Sequence, residues 1–432
     1  MKRWRPEGLT RRHRVAAALA MLILVLAAGW PDGGHAESPR AASSSFSPDK
    51  LGRVGDYIRN EIASGKIPGA VLLIQQHGKP VYFETFGVRD VATRLPMTVD
   101  TIFRLYSMSK PVTSVAAMML VDDGRLSLDD PVAKYIPAFA DLKVSVEKTG
   151  ESPGLVLEPL NRPITIKDLL RHTSGLTYGF YGDSAVRKLY AQANLFDGDT
   201  DNAEFVARIA KLPLAEQPGT LWDYGHSTDV LGRVIEVVSG RSLSQFEKER
   251  LFDPLGMTET AYFVADAAKR PRIAEPMPAD RFVTPVAGIR DPMTPRRWES
   301  GGAGLVGTVE DYARFAQMLL NGGTRNGRRY LKPETVALMT SDHIGPEKKI
   351  ARDDFYFPGA SSGFGLGFAV RTSTPPNTSW PLGEYRWDGV AGTFFFVDPK
   401  HDMFAICMIQ TPSQRGRIQL ELKTLIYEAL KD

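Results

Sequence analysis

The sequence predicts an α+β (α/β layered) fold in which both ends of the chain build one antiparallel sheet flanked by helices, with a mostly helical region inserted between them. Strand-like runs gather at the front, AVLLIQQ (70–76) and PVYFETFGV (80–88). They return at the end as GFGLGFAV (363–370), GTFFFVDPK (392–400) and MFAICMIQ (403–410). From about 125 to 340 the apolar residues recur instead at helical spacing, as in ITIKDLLRHT and TVEDYARFAQMLLNGG, separated by Pro and Gly. Strands at both ends with helices between them fit a single sheet assembled from the termini. The 432 residues, 43% hydrophobic and 24% charged, are ordinary for a globular chain.

The chain opens with Arg11, Arg12 and Arg14, an apolar run from Val15 to Gly29, and small residues at Gly34 and Ala36. That is the layout of a signal peptide over residues 1–36. The run is shorter than the roughly 18 to 20 residues that cross a bilayer. Cleavage near Ala36 and a periplasmic or secreted protein, without stable membrane insertion, are therefore expected; an uncleaved inner-membrane anchor is the alternative. Thr10-Arg11-Arg12 leaves the export route open between Sec and twin-arginine. The formal charge of +3 rests on the six Lys and Arg of this segment, and the remainder is slightly acidic. Nothing in that balance points to nucleic acid, and no protein partner is implied.

Residues 37–47 read as a linker and 48–432 as the functional domain, with a sheet region at 48–106 and 345–432 and a helical region at 107–344. Ser47 is placed to cap a helix running to Ala63, with Pro48 in its first turn. The first two strands join through His77-Gly78-Lys79 as a hairpin. The next helix starts near Ser107, tolerates Pro111 in its opening turn, and stops at Gly124. A helix from about Gln414 to Leu430 closes the chain. Cys407, the one cysteine, lies in the apolar run FAICMI and reads as a buried strand residue.

Ser107-Met108-Ser109-Lys110 puts a hydroxyl and an amine three residues apart, one turn from each other on one helix face. A serine becomes a nucleophile when a base takes its proton, and a lysine whose pKa is lowered by burial can be that base. The spacing recurs at Ser47/Lys50 and Ser145/Lys148, so context decides. Ser107 follows the apolar stretch TIFRLY and opens an apolar helix, where a helix N-terminus favours a developing anion. Ser47 lies in the linker and Ser145 in the polar stretch KVSVEKTGESPG.

Five runs in order make the pattern specific: TIFRLYSMSKPVTSVAAMMLVDDGRLSLDDPVAKYIP, ITIKDLLRHTSGL, PGTLWDYGHSTDVLGRVIEVVSG, GLVGTVEDYARFAQMLLNGG and WDGVAGTFFFVDPK. From about residue 48 to 430 the chain resembles the serine β-lactamase and D-alanyl-D-alanine carboxypeptidase superfamily, and within it the class C β-lactamase-like esterases. The resemblance implies the β-lactamase/transpeptidase-like fold. It also implies Ser107 as nucleophile, with Lys110 and Tyr224 as its proton-handling partners. It further implies an oxyanion hole from the backbone amides of Ser107 and Val390, two donors aimed at the tetrahedral intermediate. A tyrosinate beside the Lys110 ammonium is chemically sensible, because a nearby positive charge lowers a phenol's pKa, and the sequence leaves open which of Lys110 and Tyr224 is the general base. Substrate contact is expected at His226, Trp387, Asp388 and Gly389, the glycine permitting close backbone approach to substrate.

Two departures from the family pattern bear on substrate. Trp387 stands where the family has a cationic lysine, and His226 where it has an asparagine. A lost charge-assisted contact is worth about 1.5 to 3 kcal/mol, tenfold to a hundredfold in binding. Free carboxylates should suffer, and small or short-chain esters become the favoured substrate, with Arg386 expected on the opposite strand face. A β-lactamase, D-alanyl peptidase or other amide hydrolase is the alternative, and a non-catalytic binding protein on the same fold a third. No HExxH or CxxC pattern occurs, so neither metal nor other cofactor is expected. Three motifs are read as decoys: Lys148-Thr149-Gly150, which precedes Tyr224; Ser361 in a GxSxG match followed by a strand rather than a helix; and His172, a structural residue at a helix end.

Overall fold

The computed structural model describes residues 45–148, 154–278, 280, 291–345, 350–353 and 355–431. The signal-peptide segment, residues 37–44 of the linker and Thr149-Gly150 lie outside the described residues. Pro48–Ala63 forms α1, and the expected hairpin follows as β1 (Gly69–Gln76) and β2 (Lys79–Gly87). The helices that matter for the site are α2 (Ser109–Asp122), α3 (Ser227–Ser239) and α4 (Val309–Leu320). The chain then returns to the sheet as β3 (Ser362–Phe364), β4 (Ala369–Arg371), β5 (Tyr385–Asp388), β6 (Phe394–Asp398) and β7 (Met403–Met408). The last helix is α5 (Arg415–Glu428).

The seven strands form one antiparallel sheet in the order β3-β4-β5-β6-β7-β1-β2, so the first and last strands of the chain pair inside it. Val71 lies opposite Met408 and Ile74 opposite Ala405. β7 throughout and β1 from Ala70 to Ile74 are apolar at every step because both faces are covered. Val71 and Leu73, with Phe404, Ile406 and Met408, face the core shared with α2 and α4. Ala70, Leu72 and Ile74, with Met403, Ala405 and Cys407, face a second core against α1 and α5. Cys407 is thus buried, and burial pushes its thiol up to about 12. The even-odd split is the period-2 geometry of a strand.

The structure corrects three local expectations. Residues 363–370 are a hairpin rather than one strand, pairing Ser362 with Arg371 across Gly365 and Gly367. Gly367 has φ +98° and sits where a Cβ would come 2.4 Å from Ser114 Oγ, so this bend is packed onto α2. The stretch around Ser145 is no open connection: Lys143–Lys148 pairs with Gly154–Pro159 as a separate ribbon. Ser47 stands at the α1 N-terminus but makes no side-chain cap; its backbone amide donates instead to the Ala429 carbonyl at 2.8 Å, tying α1 to the end of α5.

Helix α2 is buried from Ser109 to Leu120 on every side, which makes it the central helix of the larger core. Truncating Ile406 to Ala between β7 and that core is expected to cost about 2–5 kcal/mol. Urea unfolding should show the loss as a lower midpoint at unchanged slope.

Candidate active site

Chain geometry puts Ser107 at a corner. Phe103–Arg104 pairs antiparallel with Val306–Gly307, and two residues later the chain turns through a short 3₁₀ segment, Tyr106–Met108, into α2. Tyr106 carries the turn at φ +48°, a left-handed conformation that is uncommon for a bulky side chain and concentrates at functional sites. The preceding carbonyl, Leu105 O, accepts from Met108 N at 3.1 Å and Thr393 Oγ1 at 3.3 Å. Ser107 is only half-buried, whereas Lys110 and Tyr224 are 1% and 5% exposed.

Lys110 Nζ has three oxygen neighbours: Gly302 O at 2.8 Å, Tyr178 OH at 3.2 Å and Ser107 Oγ at 3.3 Å. Desolvation pushes its pKa down to about 7 against the opposing pull of Asp229 and Asp388. A neutral amine has two protons and one lone pair. Given to Gly302 and Tyr178, the two protons leave the lone pair for the Ser107 hydroxyl, the hydrogen-bond arrangement of a general base.

Tyr224 lies beside this pair, its ring centroid 4.5 Å from Lys110 Nζ and its hydroxyl hydrogen-bonded with Ser107. Burial raises its pKa far more than the bonds from Ser107 and Trp387 lower it. Between the two candidate bases, the phenol thus keeps its proton and the amine is the group that gives one up. Trp387 Nε1 donates to Tyr224 OH at 3.3 Å, so the indole supplies a polar contact to the site as well as an apolar wall.

The amides of Ser107 and Val390 find no acceptor among the described residues, which leaves both free for a developing oxyanion. Val390 and Trp387 border a cleft of about 760 Å³ that also takes in Tyr356, Asp388 and Arg415. Asp388 is held by Arg415 through two bonds, 2.7 and 3.1 Å. Gly389 is a glycine for a different reason than expected. A Cβ there would lie 2.3 Å from Leu105 O and 2.4 Å from Thr393 Oγ1, so a close approach between the end of β5 and the backbone two residues before Ser107 already requires the glycine.

His226 also departs from expectation. It is 2% exposed, with Nδ1 3.0 Å from Asp229 Oδ2 and its ring centroid 4.5 Å from that of Tyr178. The side chain is enclosed by core groups and faces Asp229 rather than the cleft. His172 packs behind Tyr224, ring centroids 4.9 Å apart, and desolvation holds it well below the usual histidine range, as a structural histidine. Arg386 lies on the strand face opposite Trp387, bonded to Ser362 Oγ at 2.8 Å and the Pro358 carbonyl at 3.1 Å. Ser361 sits in the loop before β3, its carbonyl taken by Arg371. No group of His, Cys, Asp and Glu among the described residues is arranged to hold a metal ion.

Three contributors were missed by sequence reasoning: Tyr178, Asp229 and the Gly301-Gly302 turn. Asp229 accepts from Ser300 Oγ at 2.6 Å and from the Gly302 amide at 3.1 Å, fixing the carbonyl that holds Lys110. Tyr178 stands two residues beyond the quoted HTSGL run and Asp229 within a quoted run, so each was close to view, but only proximity in space gives them a role.

A sequence profile described as Beta-lactamase matches residues 54–427. The chain is 38% identical over 366 residues to an uncharacterized protein of Mycobacterium tuberculosis, covering 82% of this chain and 88% of the other. It is 32% identical over 371 residues to lovastatin esterase of Penicillium rubens, at 81% and 90% coverage. Among solved structures it is similar to EstCE1, a hydrolase with promiscuous acyltransferase activity. That likeness has TM-score 0.74 and 27% identity, and covers 88% of this chain and 98% of that one.

Two outcomes follow from the geometry. The rate of Ser107 acylation should rise with pH through about 7 as Lys110 loses its proton. It should fall about tenfold per unit below that, which a stopped-flow pH profile measures. Trp387→Phe keeps the ring but removes the donor to Tyr224, and kcat/KM should drop about two- to tenfold.

Proposed function

This chain belongs to the beta-lactamase family, a hydrolase family with esterase and acyltransferase homologues, and from that premise we propose that it is an exported serine carboxylesterase working through a covalent acyl-enzyme. The observation that carries the proposal is the buried Lys110 amine poised to accept a proton at 3.3 Å from a half-exposed serine hydroxyl. Ser107 Oγ attacks the ester carbonyl while its proton passes to Lys110 Nζ. The carbonyl oxygen becomes an oxyanion received by the Ser107 and Val390 amides. When the C–O bond breaks, Tyr224 gives its phenolic proton to the departing alkoxide and is reprotonated by the neighbouring Lys110 ammonium, which returns to the neutral amine. Water then attacks the acyl carbon with the same groups in the reverse direction, freeing the acid and restoring the serine.

Preference for an ester over a substrate with a free carboxylate rests on how the cations near the cleft are used. Arg415 is bonded to Asp388. Arg386, which lines the cleft from the other face of the strand, is bonded to Ser362, Pro358 and Glu384, and the remaining lining cations are engaged as well, Arg371 with the Ser361 carbonyl and Glu384 and Lys423 with Glu384. Trp387 occupies the position where the family's lysine would hold that carboxylate, and offers a ring to an uncharged acyl or alcohol group. The lovastatin esterase relative is named for ester cleavage, which agrees with this preference. Export is proposed from the basic, apolar and small-residue layout of residues 1–36 alone.

Intact-mass analysis after brief exposure to an aryl ester or fluorophosphonate is expected to show one adduct, absent from Ser107→Ala. Lys110→Ala should take up no acyl group; acylation of that variant would remove Lys110 from its role. Short-chain aryl esters should turn over where cephalosporins do not. Efficient cephalosporin hydrolysis would move the assignment to a β-lactamase, and an unreactive folded protein to a binding role.

A further inference from the structure

The turn at Gly301-Gly302 carries the carbonyl that holds Lys110, and it is gripped from two sides. Asp229 takes one side. On the other, Thr113, three residues beyond Lys110 on α2, has its hydroxyl 2.9 Å from the Gly301 carbonyl and 3.1 Å from Glu247 Oε1. Tyr262 OH donates to the second carboxyl oxygen, Glu247 Oε2, at 2.9 Å. Glu247 and Thr113 are both fully buried, and nothing in the acyl-transfer sequence above uses either.

Counting protons decides the state of this carboxyl. A threonine hydroxyl has one proton, and a carbonyl oxygen only accepts. Thr113 therefore gives its proton to Gly301 O, and its short contact with Glu247 Oε1 must be filled by a proton from the carboxyl. The charged surroundings agree. Tyr262 is a neutral donor, Glu299 adds negative field, and Glu236 reaches the cluster through Tyr262. On α3, Asp229 is committed to His226 and Ser300, and Arg233 to Glu236. On α2, Lys110 faces Gly302, Tyr178 and Ser107. On Glu247's own element, Lys248, Glu249 and Arg250 pair outward with Asp253, Arg241 and Asp123. No cation among the described residues is bonded to Glu247. Burial accordingly pushes its carboxyl up to about 8, against the lowering effect of the bonds from Tyr262 and Thr113.

We propose that Glu247, held as a neutral acid, is a positioning residue for the catalytic lysine: it donates to Thr113, Thr113 donates to Gly301, and the turn so fixed aims the Gly302 carbonyl at Lys110. The chain of bonds has a built-in failure. When Glu247 ionises, its carboxylate takes the Thr113 proton, Gly301 O loses its donor, and one of the two grips on the turn is released. Activity then declines on the alkaline side through a group that touches neither substrate nor serine. The inference rests on Ser107 and Lys110 being the reacting pair.

The test is the rate of Ser107 acylation by an aryl ester, followed by intact mass from pH 6 to 10, in wild type, Glu247→Gln and Glu247→Ala. Wild type should rise through about 7 and decline through about 8, by about tenfold at pH 10. A glutamine amide can donate to Thr113 and accept from Tyr262 at every pH, so Glu247→Gln should keep the neutral-pH rate and lose the alkaline decline. Glu247→Ala should be slow throughout. A decline that persists in Glu247→Gln at an unchanged midpoint, or its absence from wild type, overturns the proposal. If the Gln protein does not fold, Thr113→Val serves the same purpose: a reduced rate without alkaline decline supports the relay, and a wild-type profile overturns it. Absence of any adduct on Ser107 at every pH overturns the site assignment itself and this inference with it.

Discussion

An amine enclosed by the core of a protein has no water to carry its charge, and the arrangement around Ser107 follows from that. Helix α2 is buried on all sides, so a lysine in its first turn is desolvated whichever way it points. Desolvation favours the neutral form and converts an ordinary ammonium into a base near neutrality. What remains is to direct the lone pair. Gly302 O and Tyr178 OH do so by occupying both protons, leaving the serine as the partner for the free electrons.

The sheet matters to this site chiefly as a rigid support for its two backbone donors. β5 ends at Asp388, and Gly389 lets it lie directly against the Leu105 carbonyl. The amide of Val390 and the nucleophile are thereby held by one contact between two backbones, closer than any residue with a Cβ permits. Thr393 reinforces the joint by bonding the same carbonyl. The strained Tyr106 stands on the other side of that carbonyl, so the corner that exposes Ser107 is fixed from both directions.

The groups behind the site are arranged in pairs of opposite character. Asp229 is a carboxylate kept ionised, its burial outweighed by His226, Lys110 and Ser300. Glu247 is a carboxyl with no cation bonded to it among the described residues, and burial keeps its proton on. Both meet the Ser300–Gly302 turn, one as an acceptor and the other as a donor through Thr113. Environment, not residue type, separates their roles.

The sheet built from both termini and the buried strand around Cys407 were legible along the chain, because strand alternation and apolar runs are local patterns; Ser107 and Lys110 stood out from two other matches to the same spacing only through the apolar helix they open and the order of the surrounding motifs. The sequence also carried Tyr224 and the β5 end through the order of its motifs. Which protons those groups hold was set by the folded arrangement alone. Charge state depends on burial and on neighbours from distant segments, such as Gly302 against Lys110 or Trp387 against Tyr224, and no local pattern encodes either. The same reason places His226 in the core and Gly389 against the Leu105 carbonyl: a residue's neighbours along the chain do not specify which face of the fold it meets.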